Sequence, residues 1–211
     1  MGERTVSQHT TTIDADPTNA ERIDRRKFIG DLLAQTPEAL VVTGLGSPTY
    51  DVFATTPRPG HFYLWGAMGG SIPLGLGLAL AQPDKSVVVI TGDGEQLMGI
   101  GALGTVGAQL PANLTIVVLD NGHFGETGMQ QSHTSLGTDL VAVAKGFNIA
   151  NAFLVTEQRG YKTVADHIVA RAGTTYAQVL IAADEPPRVL PPRDGVANKN
   201  SFRAELGLPT F

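Results

Sequence analysis

Two continuous apolar runs constrain this chain more than any other feature. Ser86-Val-Val-Val-Ile-Thr91 and Leu114-Thr-Ile-Val-Val-Leu119 are rich in β-branched residues and lack the alternation of a strand with one wet face. Such runs suit strands buried on both faces, an environment found in parallel sheets covered by helices on each side. The first run ends at Gly92-Asp93-Gly94 and the second at Asp120-Asn121-Gly122. Asp93 and Asn121 therefore stand 28 positions apart, the spacing of a strand-helix-strand unit.

The rest of the chain repeats that alternation. A helix is expected over 20–35, where Ile23, Phe28, Ile29, Leu32 and Leu33 share one face. Strands are expected at 39–43, 62–65, 153–156 and 177–182, and helices at 69–81, 95–109, 139–145 and 160–171. The stretch Ser47 to His61 carries three prolines and reads as a loop. Residues 1–18 read as a polar, disordered tail. Residues 186–211 read as an irregular tail, because five prolines follow Asp184. The expected fold class is α/β: an open, mostly parallel sheet with helices on both faces, occupying 19–185. In such sheets ligands bind beyond the carboxyl ends of the strands.

Composition removes several functions. The chain has no Cys, which excludes thiolate metal sites and cysteine nucleophiles. Its formal charge of −5, without a basic patch, argues against nucleic acid as a partner. No apolar run reaches membrane-spanning length, and the first twenty residues lack a signal peptide's apolar core. The expectation is a soluble, cytoplasmic protein with no membrane partner. The 25 glycines exceed the usual share of about 7% and suggest close backbone approaches.

Asp93 and Asn121, at neighbouring strand ends, supply a carboxylate and an amide oxygen. With a nearby carbonyl they form a sparse hard-oxygen set suited to Mg²⁺, which keeps water or phosphate oxygens in its remaining positions. Gly92 and Gly94 let backbone approach a phosphate, and the helix start after Gly94 favours an anion. The same residues also make ordinary turns. Spacing alone leaves both readings open.

Three motifs, in order, add a resemblance. Gly92-Asp93-Gly94 with Asn121 resembles the diphosphate-binding motif of thiamine-diphosphate enzymes. Leu64-Trp65-Gly66-Ala67-Met68-Gly69 is similar to their aminopyrimidine-gripping segment in the decarboxylase branch. Leu119 to Gln130 resembles phosphonopyruvate decarboxylase and the β subunit of sulfopyruvate decarboxylase. The resemblance covers about residues 22–185 and implies the thiamine-diphosphate-binding fold. It implies that Asp93, Asn121 and the His123 carbonyl hold Mg²⁺, and that the N–H groups of Gly94 and Glu95 meet the diphosphate. It further implies that Gly66, Ala67 and Met68 receive the ring, with the Met68 side chain wedged between the cofactor's two rings.

The resemblance also implies something missing. Full-length members carry a second, pyrimidine-binding domain whose glutamate activates the cofactor, and this chain has no room for it. An obligate partner subunit of similar size, supplying that glutamate in an α₂β₂ or larger assembly, is the expectation. Glu95 and Glu126 depart from the family, which has small residues there. Glu126 is expected to repel a phosphonate or sulfonate tail and so to favour a neutral substrate. Glu126, His133 and His123 share one loop and are the candidates for proton transfer. The activity expected is decarboxylation of a 2-oxo acid. A carboligase or C–C lyase acting on aldehydes or ketones, and a non-catalytic regulatory subunit, are the alternatives.

Overall fold

A computed structural model describes residues 22–210. Helix α1 (Arg25–Gln35) starts where the Asp24 carboxylate accepts a hydrogen bond from the Lys27 amide. Strand β1 (Leu40–Thr43) follows, then helix α2 (Ser47–Thr55), edge strand β2 (His61–Tyr63) and helix α3 (Ser71–Ala81). Strand β3 (Val87–Gly92) leads without a loop into α4 (Asp93–Met98), and α5 (Ala102–Gln109) precedes β4 (Leu114–Asp120). A small hairpin comes next, β5 (His123–Phe124) with β6 (Gln130–Gln131), then α6 (Leu140–Gly146). Strand β7 (Asn151–Val155), α7 (Tyr161–Ala170), β8 (Thr175–Leu180) and α8 (Gly195–Glu205) complete the order.

Six strands pair in the order β2-β1-β3-β4-β8-β7, all parallel. The α/β expectation holds. Val88, Ile90, Val117 and Leu119 pack with α1, α2 and α7, whereas Val87, Val89, Ile116 and Val118 pack with α3, α5, α6 and α8. Every residue of β4 is buried, as its unbroken apolar run requires.

Three expectations need correction. The stretch 47–61 is not all loop, because α2 occupies Ser47–Thr55. Pro48 lies in its first turn, where no backbone donor is lost, and Pro57 and Pro59 lie beyond its end. The single helix expected at 95–109 is two, broken at Gly99-Ile-Gly101. A Cβ on Gly99 would meet the Gly69 carbonyl at 2.4 Å, so the break admits a neighbouring backbone. The C-terminal tail contains α8, capped by the Asp194 carboxylate on the Val196 and Ala197 amides. Its anchor is Phe202, edge-on to Phe62 at 5.6 Å, and the Asn198 amide donates to the Tyr63 carbonyl at 2.8 Å. One buried anchor leaves almost no periodicity to read. The expectation for residues 1–18 lies outside the described residues.

His61 begins β2, at the opposite end of the strands from Asp93. Arg58 Nε donates to its Nε2 at 2.7 Å. Burial, then the Arg58 charge, pushes its pKa down to about 3. The unfolded side chain titrates near 6.5, so the stability that a neutral His61 contributes is present above that pH and is lost as pH falls below it. His61→Gln should flatten acid destabilisation between pH 6.5 and 5, by up to about 2 kcal/mol. Urea unfolding of both proteins across that range measures it, and parallel curves would refute it.

Candidate functional site

The carboxyl ends of β3 and β4 place Asp93 and Asn121 beside one cleft. Its lining includes Met68, Gly92, Asp93, Gly94, Glu95, Asn121, His123 and Glu126. Each arrives there for a local reason. Asp93 follows the last residue of β3 and opens α4, with Gly92 in extended conformation as the N-cap. Gly94 has no room for a side chain, since a Cβ would lie 2.7 Å from the Phe124 ring. Asn121 Oδ1 accepts from the His123 amide at 2.9 Å, and His123 Nδ1 reaches the Asn121 carbonyl at 2.8 Å. A carbonyl only accepts, so Nδ1 carries the proton of that bond, and in the neutral ring the lone pair falls to Nε2.

Asp93 is 2% exposed and shares its surroundings with a second buried carboxylate, Asp120. Burial and then the Asp120 charge push Asp93 up to about 6. Ser132 Oγ donates to Asp93 Oδ2, and Thr134 Oγ1 donates to Asp120 Oδ1 at 2.8 Å. Gln178 Nε2 donates to Asp120 Oδ2 at 2.6 Å. These donors are neutral. Two carboxylates held in one buried network without a cation are a site that gains from a divalent ion. The oxygen donors and the absence of thiolate fit a hard ion such as Mg²⁺. Among the described residues no cluster of three His, Cys, Asp or Glu could hold a metal. A sparse set completed by ligand phosphate is compatible with that.

Met68 is 39% exposed and lines the cleft. It sits between Gly66 (φ +73°) and Gly69 (φ +83°), left-handed positions that let the chain turn twice. Nothing lies within 4 Å of the Cβ position of Gly66, so that face of the segment is open. Gly66 and Ala67 adjoin the cleft through Met68 but are not part of its lining.

Glu95 is 3% exposed, which excludes a solvated side chain. Its carboxylate accepts from Thr91 Oγ1 at 2.9 Å and from the Ser71 amide at 3.4 Å. It points toward Gly44, where a Cβ would stand 1.6 Å from Oε2. Gly44-Leu-Gly46 is thus a strand-end loop whose first glycine makes room for Glu95.

Of the proton-transfer candidates, His123 and Glu126 line the cleft. His133 does not; its side chain is exposed and stands edge-on to Phe124 at 6.4 Å. The neighbouring Ser132, whose hydroxyl is drawn to Asp93, is the residue of that turn which faces inward. Glu126 is not a free charge, since Arg188 Nη2 lies 3.2 Å from its Oε2. Asp120, Ser132, Thr134 and Arg188 are site residues that the sequence reading missed. Only Asp120 carried a signal there, as the residue that ends the apolar run.

The family described as "Thiamine pyrophosphate enzyme, C-terminal TPP binding domain" matches residues 45–183. The β subunit of sulfopyruvate decarboxylase from Methanocaldococcus jannaschii is 40% identical over 126 residues, 60% of this chain and 65% of that protein. The same subunit from Methanococcus maripaludis is 30% identical over 184 residues, 87% of this chain and 94% of that protein. Phosphonopyruvate decarboxylase of Streptomyces viridochromogenes is 44% identical over 131 residues, 62% of this chain but 31% of that protein. The chain therefore spans about two thirds of the Methanocaldococcus subunit and about a third of the Streptomyces enzyme. In fold it is similar to benzoylformate decarboxylase from Polynucleobacter necessarius, with a TM-score of 0.65 at 21% identity over 78% of this chain and 34% of that one. No helix among the described residues is long and apolar enough to cross a membrane. The chain belongs to the thiamine pyrophosphate enzymes, as a C-terminal-type, thiamine-diphosphate-binding domain.

Proposed function

We propose that this chain is the cofactor-binding subunit of a two-subunit thiamine-diphosphate-dependent 2-oxo acid decarboxylase. The observation that carries this is the cleft itself, complete on the diphosphate side and incomplete on the ring side. Asp93, Glu95 and Glu126 are the cleft's carboxylates among the described residues. Asp93 belongs to the metal side, Glu95 is bonded to Thr91 and Ser71, and Glu126 is paired with Arg188. None is free to activate an aminopyrimidine. A partner's glutamate fills that role, in an assembly such as α₂β₂. The near full-length match to a protein named as a β subunit supports the same division.

Asp93, Asn121 and the His123 carbonyl would hold Mg²⁺, and the Gly94 and Glu95 amides would meet the diphosphate at the start of α4. Gly66 and Ala67 would receive the ring, and Met68, a flexible thioether, would fill the irregular space between rings. When bound, thiamine diphosphate supplies the electron sink that lets a 2-oxo acid lose CO₂. His123 Nε2, with its lone pair directed by the Nδ1 bond, can take up or return a proton at the cleft.

Native purification of the chain from its host, with mass spectrometry of what co-purifies, tests the reading. The expected result is a stoichiometric partner of similar size with thiamine diphosphate and Mg²⁺, releasing CO₂ and an aldehyde from a 2-oxo acid. Cofactor bound without a partner would overturn the divided site. Products formed only when an aldehyde is added would turn the assignment to a carboligase.

A further inference from the structure

Asp120 is the last residue of β4 and directly precedes Asn121. It is 2% exposed. The Gly122 amide and Thr134 Oγ1 each donate to its Oδ1 at 2.8 Å, and Gln178 Nε2 donates to its Oδ2 at 2.6 Å. A carboxylate has about four acceptor positions, so little of this one is left for a metal. Nor does Asp120 line the cofactor cleft; it lines a neighbouring hollow of about 340 Å³ with Arg22, Thr134 and Gln178. Its charge nevertheless stays close to the metal side. Thr134 Oγ1 stands 3.4 Å from Asp93 Oδ2, so one hydroxyl spans the two carboxylates.

The fold alone does not account for that charge. All three donors are neutral, and none of the ion pairs among the described residues includes Asp120. Asparagine has the same shape. Its amide oxygen would take the Gly122 and Thr134 bonds, and its NH₂ would donate to Gln178 once that amide turned over. A buried carboxylate is the costlier choice, the more so beside Asp93. A divalent ion between Asp93 and Asn121 reverses the balance, because it brings two positive charges and Asp93 offsets one.

The three bonds also place the ligands. Gly122 lies between Asn121 and His123, Thr134 lies beyond the β5–β6 hairpin, and Gln178 belongs to β8, in register with Val118 of β4. The excursion that carries Asn121 and the His123 carbonyl is thus fastened at both ends to one group in the sheet.

We propose that Asp120 is the second carboxylate of the metal site, one that holds the divalent ion by its charge and the 121–134 turn by its hydrogen bonds without ligating. The inference rests on the binding of Mg²⁺ at Asp93 and Asn121 proposed above. Attraction of that kind is strong where water is scarce, as it is around both aspartates.

The test uses the native complex freed of metal by chelator, unchanged or carrying Asp120→Asn or Asp93→Asn. The probe is Mn²⁺ in saturating thiamine diphosphate, with the free ion followed by its electron paramagnetic resonance signal. Asp120→Asn should bind Mn²⁺ about tenfold to a hundredfold more weakly, the usual loss when a group behind a metal ligand is removed. Calorimetry in chelator should show thiamine diphosphate bound at least as tightly as by the unchanged complex, because a negative charge near the diphosphate has gone. Urea unfolding in chelator should need no less denaturant. Weaker cation binding beside undiminished anion binding and an undiminished fold is a charge effect that loss of structure cannot mimic. An unaltered Mn²⁺ affinity in Asp120→Asn overturns the inference. So does a parallel fall in Mn²⁺ affinity, cofactor affinity and stability, which would make Asp120 a structural residue only. Asp93→Asn controls for the site itself and should lose Mn²⁺. If it keeps the ion, the metal assignment is wrong and the inference falls with it; if it loses the ion while Asp120→Asn does not, the inference alone fails.

Discussion

Asp93→Asn should leave a chain that folds better and holds no cofactor. The substitution keeps an oxygen for the Ser132 hydroxyl, so the local network survives. It removes a carboxylate whose ionised form is opposed by burial and by Asp120. Asp93 has a folded pKa of about 6, above its unfolded value of 3.8. The stability it contributes is therefore fully present below the unfolded value and is lost as pH rises through about 6. In the metal-free chain at pH 7 that loss is complete. Asp93→Asn should recover about 1–3 kcal/mol of it.

Binding has the opposite sign. Mg²⁺ requires the ionised carboxylate, so native affinity for Mg²⁺ and thiamine diphosphate should fall about tenfold for each pH unit below 6. Asp93→Asn should lose at least a hundredfold at every pH. Calorimetric titration gives the affinity, and urea unfolding in chelator gives the stability. The two together separate a metal ligand from a structural aspartate, whose loss would lower stability and leave binding intact. Retained cofactor in Asp93→Asn would remove Asp93 from the site.

That contrast also shows what could be read from the chain before its structure. Asp93 and Asn121 were legible because β3 and β4 are buried on both faces. Unbroken apolar runs mark such strands, and their last residues point to the edge where ligands bind. Asp120 was hidden beside Asn121 because an Asp-Asn-Gly triplet has a sufficient local account as a turn. Its burial depends on Gln178, 58 residues away, and on Thr134, 14 residues away. Ser132 reaches Asp93 across 39 residues. Helix α2 was hidden by counting its prolines together, when position in the first turn made Pro48 harmless. The pairing of Glu126 was hidden by distance too, since Arg188 lies in a stretch whose prolines suggested only irregular chain. Local physics wrote the strands and the motif at their ends, whereas the charge balance of the site is tertiary.

Glu95 is where the second large effect is expected. Its carboxylate joins the end of β3, through Thr91, to the start of α3, through the Ser71 amide. Only Gly70 separates Ser71 from Leu64–Gly69, the segment proposed to receive the cofactor ring. Gly99, the C-cap of α4, packs against Gly69, and its amide donates to the Glu95 carbonyl at 3.1 Å. The proposed diphosphate and ring sides are thus braced through one residue. Glu95→Ala should weaken thiamine diphosphate binding about tenfold to a hundredfold, since misplacement of a positioning group by about 1 Å has that cost. Stability should change by no more than about 1–2 kcal/mol. The loss of two bonds there is offset by no longer burying a carboxylate, whose pKa is raised by that burial. Glu95→Gln keeps an acceptor and should recover most of the affinity. Gly44→Ala should resemble Glu95→Ala, because its methyl would take the space of Oε2. Added to Glu95→Ala, it should cost much less than it does alone, a coupling that independent sites do not show. Quenching of Trp65, the single tryptophan, reports the affinities beside the ring segment. Additive losses, or full affinity in Glu95→Ala, would mean that the two halves of the cleft are held in register by packing and that Glu95 does not brace them.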